Sequence, residues 1–165
     1  MSSNEVHLKV AIIGVGNRLM GDDGFGSCLA DALMGKVKNA TVIDLGPGNL
    51  LGVNLERYDV IVIIDVGNIE EDYGIYRISP SGRFDISLHD LGLASVVNLY
   101  RDKTFFLVAC KPDRIDIQFG LSKECKSRVR ELIPVLIKFL SGLGVQLLGN
   151  QEEIANYIEK GCSET

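Results

Sequence analysis

The chain has 165 residues, of which 46% are hydrophobic, and a formal net charge of −5 at pH 7. This length is enough for one buried core, so we expect residues 1–165 to form a single domain. The negative charge and scattered basic residues argue against nucleic-acid binding through phosphates, and no apolar stretch reaches the roughly 20 residues that a membrane helix needs. The composition therefore predicts a cytoplasmic protein that binds neither nucleic acid nor membrane.

Predicted strands and helices alternate in the first half of the chain. β-branched and apolar residues predict strands over 8–13, 40–45 and 60–64. Apolar residues at helical spacing predict a helix over 22–33, and a short helical turn follows over 50–55.

The second half continues this alternation. Its predicted elements are an edge or antiparallel strand over 73–78, a helix over 91–99, a buried strand over 104–109, a long helix over 122–140, a small strand over 145–148 and a terminal helix over 151–160. Ser122 is the predicted N-cap of the long helix, with Cys125 at its third position. Pro134 predicts a kink or a break in that helix because it removes a backbone donor.

This alternation predicts a mostly parallel sheet with helices on both faces. In such folds, ligands bind beyond the carboxyl ends of the strands, where loops converge. Asp23, Asp44, Asp65 and Cys110 all follow predicted strands. We therefore expect their side chains to lie at that edge of the sheet.

Two aspartates are candidate ligands. Five β-branched residues lead directly into Asp65, and an acid at a buried strand tip needs a partner, which is either a ligand or a loop that it caps. Asp22 and Asp23 open a predicted helix, where carboxylates are common because they oppose the helix dipole. We interpret Asp22 in this way, whereas Gly24 and Gly26 would let a ligand approach Asp23 closely.

The chain contains two histidines. His7 precedes the first strand and is expected to be exposed and without a role. His89 lies in a polar turn before a helix, where it could be a cap, a surface residue or a ligand. Together, Asp23, Asp65 and His89 would form an incomplete metal site, which is typical of a catalytic or exchangeable ion such as nickel, zinc, iron or manganese.

The four cysteines, at positions 28, 110, 125 and 162, show no C-x-x-C pair and no zinc-finger spacing. A domain of this size does not need disulfides, so we expect all four to be reduced. Cys110 lies at a strand tip before Lys111. It is either a buried, inert residue or a thiolate nucleophile paired with His89.

The glycines at 14 and 16, with Asp44 at the end of the second strand, are also compatible with a dinucleotide site. However, the third glycine position is occupied by Leu19, and Asp22 and Asp23 would repel a pyrophosphate. A nucleotide-binding enzyme is therefore kept as an alternative.

Three segments, 14–26, 60–65 and 87–93, resemble in wording and order those of the hydrogenase maturation endopeptidases. These enzymes trim the C-terminal tail from the large subunit of nickel–iron (NiFe) hydrogenases. The resemblance extends from about Lys9 to about Leu140. It implies a three-layer α/β/α sandwich around a mostly parallel, roughly five-stranded, twisted sheet.

The resemblance also implies a site and a substrate. Asp23, Asp65 and His89 would contact nickel that the precursor large subunit already holds, and Asp44 would align the substrate or support the site. Hydrolysis would use either the metal or an aspartate acting as general base, as in an aspartyl protease. The protein is expected to act as a monomer. A nickel-binding chaperone that does not cleave is the other alternative.

Overall fold

The structure is a computed structural model that describes residues 7–80 and 92–162. Its elements follow one another along the chain as strands and helices in alternation. In chain order they are β1 (Val10–Val15), a 3-10 helix (Gly21–Gly24), α1 (Phe25–Leu33), β2 (Val37–Lys38), β3 (Ala40–Gly46), a second 3-10 helix (Leu50–Gly52), β4 (Val60–Val66), β5 (Tyr73–Ile78), α2 (Leu93–Leu99), β6 (Thr104–Cys110), α3 (Lys123–Gly142), β7 (Gln146–Leu147) and α4 (Gln151–Glu159).

Five strands form the main sheet of the described residues, in the order β3-β1-β4-β6-β5. The strands β3, β1, β4 and β6 are parallel, whereas β5 pairs with β6 in the antiparallel direction at one edge. The predicted mostly parallel sheet and the antiparallel edge strand over 73–78 are therefore confirmed. No helix within residues 7–80 and 92–162 is long and apolar enough to cross a membrane.

Both faces of the sheet are covered, because successive residues of the central strands enter different cores. Val10 and Ile12 of β1 pack with α1, α3 and α4, whereas Ala11 and Ile13 pack with α2 and the second 3-10 helix. This alternation explains why the central strands read as unbroken apolar runs. The predicted three-layer α/β/α sandwich is confirmed.

Two details of the predicted elements differ from the structure. The helix expected over 22–33 begins as a 3-10 turn, and regular α-helix starts only at Phe25. The long helix α3 continues through Pro134, so the break that this residue allowed does not occur. Pro134 and Arg130, whose carbonyl oxygen loses its donor, both lie on the exposed face, where water can bind that oxygen.

The expectation that all four cysteines are reduced is wrong for two of them. Cys28 of α1 and Cys162, which follows α4, form a disulfide with a Cα–Cα distance of 5.4 Å. Cys110 and Cys125 are free and buried. The pairing depends on the packing of α4 against α1, which joins residues 134 positions apart and leaves no local sequence signal.

The start of α1 lies in direct contact with the sheet backbone at Gly26. A Cβ at this position would lie 2.1 Å from the carbonyl oxygen of Ile64 and 2.2 Å from that of Val15. Because both neighbours are backbone atoms of central strands, they cannot move aside cheaply. Glycine at position 26 therefore seats the helix on β1 and β4.

We predict that Gly26→Ala destabilises the protein by about 1–3 kcal/mol, because the added methyl group overpacks this contact. The measurement is equilibrium unfolding in urea. Gly142→Ala is the matched control, since a Cβ there meets nothing within 4 Å and alanine stabilises a helix by up to about 1 kcal/mol. Equal stability of the two variants would show that the close contact at Gly26 is absent in solution.

Candidate active site at the carboxyl edge of the sheet

Buried polar side chains are concentrated at one edge of the sheet. Among the residues that the structure describes, four polar or charged side chains are buried: Asp22, Asp23, Ser27 and Asp65. Three of them belong to the segment that follows β1, and Asp65 belongs to the carboxyl end of β4. Since burial of a carboxylate is costly, three acids in this one region mark it as the candidate functional site.

Asp23 lies in the 3-10 helix directly after β1 and is 7% exposed. The backbone N–H of Asn17 donates a hydrogen bond of 3.0 Å to its Oδ2 atom. Gly16, with a φ of +145°, makes this turn possible, because a Cβ there would lie 1.9 Å from the carbonyl oxygen of Asp23. The glycine-rich segment thus holds the aspartate against the sheet.

Asp65 is fully buried and is the penultimate residue of β4. Its Oδ1 atom accepts a hydrogen bond of 2.8 Å from the backbone N–H of Val66. The strand β4 lies between β1 and β6, so Asp65 occupies the middle of the carboxyl edge. Asp65 is therefore part of β4 itself, whereas the sequence predicted it as the first residue after the strand.

Two of the three predicted metal ligands come from elements that touch. The 3-10 helix of Asp23 contacts β4, and the backbone of Gly26 meets the carbonyl oxygen of Ile64, the residue before Asp65. The third predicted ligand, His89, lies in residues 81–91, outside the described part of the chain. Within the described part, no three His, Cys, Asp or Glu side chains are grouped so that they could hold a metal ion. The three-residue site therefore stays a prediction.

Asp22 has a different role from the one the sequence suggested. Its carboxylate accepts hydrogen bonds from the backbone N–H groups of Asp113, Arg114 and Ser122, at 2.8, 2.9 and 2.6 Å, and from the Ser122 hydroxyl at 2.8 Å. Ser122 also accepts from the N–H of Cys125 and so caps α3 as predicted. Asp22 thus anchors the segment 16–24, called the acidic turn below, to the N-terminus of α3, in addition to a dipole effect on its own helix.

Arg18 forms a second anchor for the same turn. Its guanidinium bonds Oδ2 of Asp44 at 3.0 Å, Oγ of Ser27 at 2.8 Å and the carbonyl oxygen of Cys162 at 3.1 Å. Desolvation by partial burial lowers the pKa of Arg18, but the carboxylates of Asp44 and Asp31 outweigh this effect and raise the pKa overall. Arg18 therefore stays charged and holds the turn to β3 and α1.

The hydrogen bonds around Arg18 also fix the position of Asp44. The predicted role of Asp44 was substrate alignment or support of the site. Ser27 donates to its Oδ1 atom at 2.7 Å, and the N–H of Gly46 donates to the same atom at 3.1 Å. With Arg18 on the other oxygen, the carboxylate is engaged by the protein itself. This arrangement supports the second assignment and disfavours Asp44 as the acceptor of a ribose hydroxyl.

Cys110 ends β6 and is fully buried beside Cys125. The hydrogen bond to Cys110 and burial together raise the pKa of the Cys125 thiol far above its ordinary value. A structural cysteine that is fully buried is inert, because no substrate reaches its sulfur. The surroundings of this pair favour the inert interpretation of Cys110 over the nucleophilic one.

Sequence reasoning missed Arg18 and Ser27 and misjudged Asp22. Arg18 and Asp22 act through partners that lie far away along the chain: Cys162 is 144 positions beyond Arg18, and Ser122 is 100 positions beyond Asp22. One local signal was available. An arginine and two adjacent acids lie in one short turn between glycines, and this is more charge than a turn needs to stay solvated. That signal identifies the turn but not the partners.

Comparison with known proteins identifies relatives of the chain. Residues 29–139 match the family model described as hydrogenase maturation protease. The chain is 26% identical over 159 residues to the hydrogenase expression/formation protein HupD of Thiocapsa roseopersicina. This match covers 83% of the chain and 70% of HupD. The family match includes Asp65 and His89, and it begins six residues after Asp23.

Solved structures share the fold. The hydrogenase maturating endopeptidase HybD from E. coli matches with a TM-score of 0.72 and 23% identity, covering 88% of this chain and 99% of HybD. The hydrogenase maturation protease HycI from Thermococcus kodakarensis KOD1 matches with a TM-score of 0.65 and 22% identity, covering 81% and 93%. The same arrangement of layers therefore occurs in both proteins.

We predict that Asp22→Asn destabilises the protein by about 2–4 kcal/mol, because an amide cannot accept all the hydrogen bonds that the carboxylate accepts and leaves buried donors unpaired. Urea unfolding measures the change. Asp113→Asn is the control, since the side chain of that residue is exposed and only its backbone takes part in the network. A loss for Asp22→Asn no larger than for the control would contradict the anchoring role.

We also predict that Cys110→Ala keeps hydrolytic activity within a few-fold of the wild type, whereas His89→Ala loses it. The physical reason is that the Cys110 thiol is fully buried, out of reach of a substrate. Activity measured by the mass of the trimmed substrate separates the two variants. Loss of activity in Cys110→Ala with retention in His89→Ala would require a thiol mechanism instead.

Proposed function

Because the chain belongs to the hydrogenase maturation protease family, we propose that it is an endopeptidase that removes the C-terminal extension from the large-subunit precursor of a NiFe hydrogenase. The observation that carries this proposal is the cluster of buried acids at the carboxyl edge of the sheet, where Asp23 and Asp65 lie on elements in contact. Open α/β sheets bind their ligands at this edge.

The proposed recognition element is nickel that the precursor already holds. Asp23 and Asp65 would supply carboxylate oxygens and His89 an imidazole nitrogen, a donor set that leaves positions for ligands from the substrate. The buried acids suit a cation entering the site, since a positive charge offsets their desolvation. In this proposal the ion belongs to the substrate, and the three residues bind the precursor only when the ion has been inserted.

Contact with the ion would place the scissile peptide beside the same acids. The nickel would polarise the peptide carbonyl, and a carboxylate would accept a proton from the attacking water. Asn17, whose backbone N–H bonds Asp23, and Val66, whose N–H bonds Asp65, hold the two carboxylates in fixed positions. The proposal includes action as a monomer in the cytoplasm.

We predict that the wild type trims the nickel-loaded precursor and leaves the nickel-free precursor intact in a chelating buffer. Asp65→Asn and His89→Ala should each slow trimming of the loaded precursor by about 100-fold or more, because general acid–base contributions are of that size. The readout is the mass of the precursor over time. Asp102→Asn is a matched control, since that side chain is 77% exposed.

Each outcome of this experiment bears on one part of the proposal. Efficient trimming of the nickel-free precursor would overturn recognition of the metal while leaving the protease activity in place. No trimming of either precursor, combined with transfer of nickel between the two proteins, would favour the maturation chaperone instead. Full activity of Asp65→Asn would remove that residue from the site.

A further inference from the structure

The four cysteines of the chain lie in one apolar core as two neighbouring pairs. Cys28 and Cys162 form the disulfide, and Cys110 and Cys125 are free thiols joined by a hydrogen bond. The two pairs have similar burial but different positions. The free pair joins β6 to α3, whereas the bonded pair joins α1 to the turn at 160–162 that follows α4.

The disulfide is connected to the candidate site through Arg18. The guanidinium of Arg18 donates to the carbonyl oxygen of Cys162 at 3.1 Å and to the carbonyl oxygen of Ser27, the residue before Cys28, at 3.1 Å. Arg18 directly follows Asn17, whose backbone N–H bonds Asp23. Arg18, which anchors the acidic turn, therefore bonds one cysteine of the disulfide and the residue before the other.

Access to the disulfide is restricted at both of its residues, which differ in their place in the fold. Cys28 is 1% exposed and lies within a helix, whereas Cys162 is 4% exposed and follows the last helix. A cavity of about 10 Å³ lies against both residues, which is room for roughly one water molecule. A thiol reagent can therefore reach the bond only when the turn at 160–162 moves.

The backbone of this turn is held in an unfavourable conformation. Cys162 has a φ of +59°, a region that residues other than glycine rarely occupy because the Cβ is crowded. The disulfide, the bond from Arg18 to its carbonyl oxygen and the bond from its N–H to the carbonyl oxygen of Tyr157 hold it there. Cleavage of the disulfide would allow Cys162 to relax, and the turn would then open more easily.

We propose that the Cys28–Cys162 disulfide is a reversible latch that ties the mobility of the acidic turn to the thiol–disulfide state of its surroundings. Glutathione thiolate attacks the Cys162 sulfur, the disulfide breaks, and Cys28 leaves as a thiolate that takes a proton. A second glutathione then releases Cys162 as a thiol and forms glutathione disulfide. Two glutathione molecules are oxidised, and one protein disulfide is reduced to two thiols.

Reduction removes one restraint on the turn at 160–162, so the acceptor that Cys162 presents to Arg18 is held less firmly. The acidic turn then keeps its bonds to Asp44 and Ser27, whereas its bond to the carbonyl oxygen of Cys162 is weakened. This latch concerns the stability and motion of the turn. It holds whether or not the chain cleaves a hydrogenase precursor.

The first test equilibrates the full chain in buffers of increasing ratio of glutathione to glutathione disulfide. After acid quenching, the protein is unfolded and alkylated, and its mass is measured. We expect two labels, on Cys110 and Cys125, under oxidising conditions and four labels under reducing conditions. Four labels throughout, or labels on Cys28 and Cys162 in the oxidised sample, would overturn the latch.

The second test measures hydrogen exchange in the oxidised and reduced proteins. We expect the Asn17 amide to exchange at least about tenfold faster after reduction, as a local opening would produce, while Ile63 in β4 is unchanged. The melting temperature should fall by roughly 5–15 °C, because the bond closes a long loop. Cys162→Ser should behave as the reduced protein in either buffer, and Cys110→Ala should respond as the wild type does.

An unchanged exchange rate at Asn17 would overturn the coupling between the disulfide and the acidic turn. A response of Cys162→Ser equal to that of the wild type would show that another pair carries the redox effect. Both readouts are independent of hydrolytic activity, so neither outcome depends on the proposed substrate.

Discussion

The carboxylate of Asp22 joins three parts of the chain that are distant in sequence. It follows β1, it binds the loop after β6 through the N–H groups of Asp113 and Arg114, and it binds the start of α3 through Ser122. The four donors replace the water that a buried charge loses, and the N-terminus of a helix further favours a negative group. The acidic turn can carry Asp23 at the sheet edge because its neighbour is secured in this way.

The adjacent residues Asp22 and Asp23 thus have different roles. The carboxylate of Asp22 is occupied by hydrogen bonds within the protein. Asp23 lies beside it, on a turn that passes close to the sheet because position 16 is glycine. Asp65 reaches the same edge from β4, a strand whose residues are all buried. A site made in this way has little freedom to rearrange, because each acid is attached to a strand or to a well-bonded turn.

The sequence was informative wherever a feature depends on nearby residues. The apolar run before Asp65 predicted a central strand, the alternation over 73–78 predicted an edge strand, and Ser122 was correctly identified as an N-cap. The disulfide of Cys28 and the anchoring role of Asp22 were not predictable, because their partners are more than 90 positions away and become neighbours only through helix packing. The role of Asp23 as a ligand was predicted from family resemblance and stays a prediction, whereas its burial and bonding are seen only in the structure.

The short strand β7 and the helix α4 have a consequence for the order in which the chain can fold. The apolar face of α1 is covered partly by Ile154, Ala155 and Ile158, and β7 pairs with β2 more than 100 residues earlier. Such contacts give the fold a high contact order, and their loop-closure entropy must be overcome before they stabilise anything. During synthesis on the ribosome, the part of the apolar face of α1 that α4 covers must therefore stay uncovered until residues 146–159 emerge, and the nascent chain is exposed to aggregation in that interval.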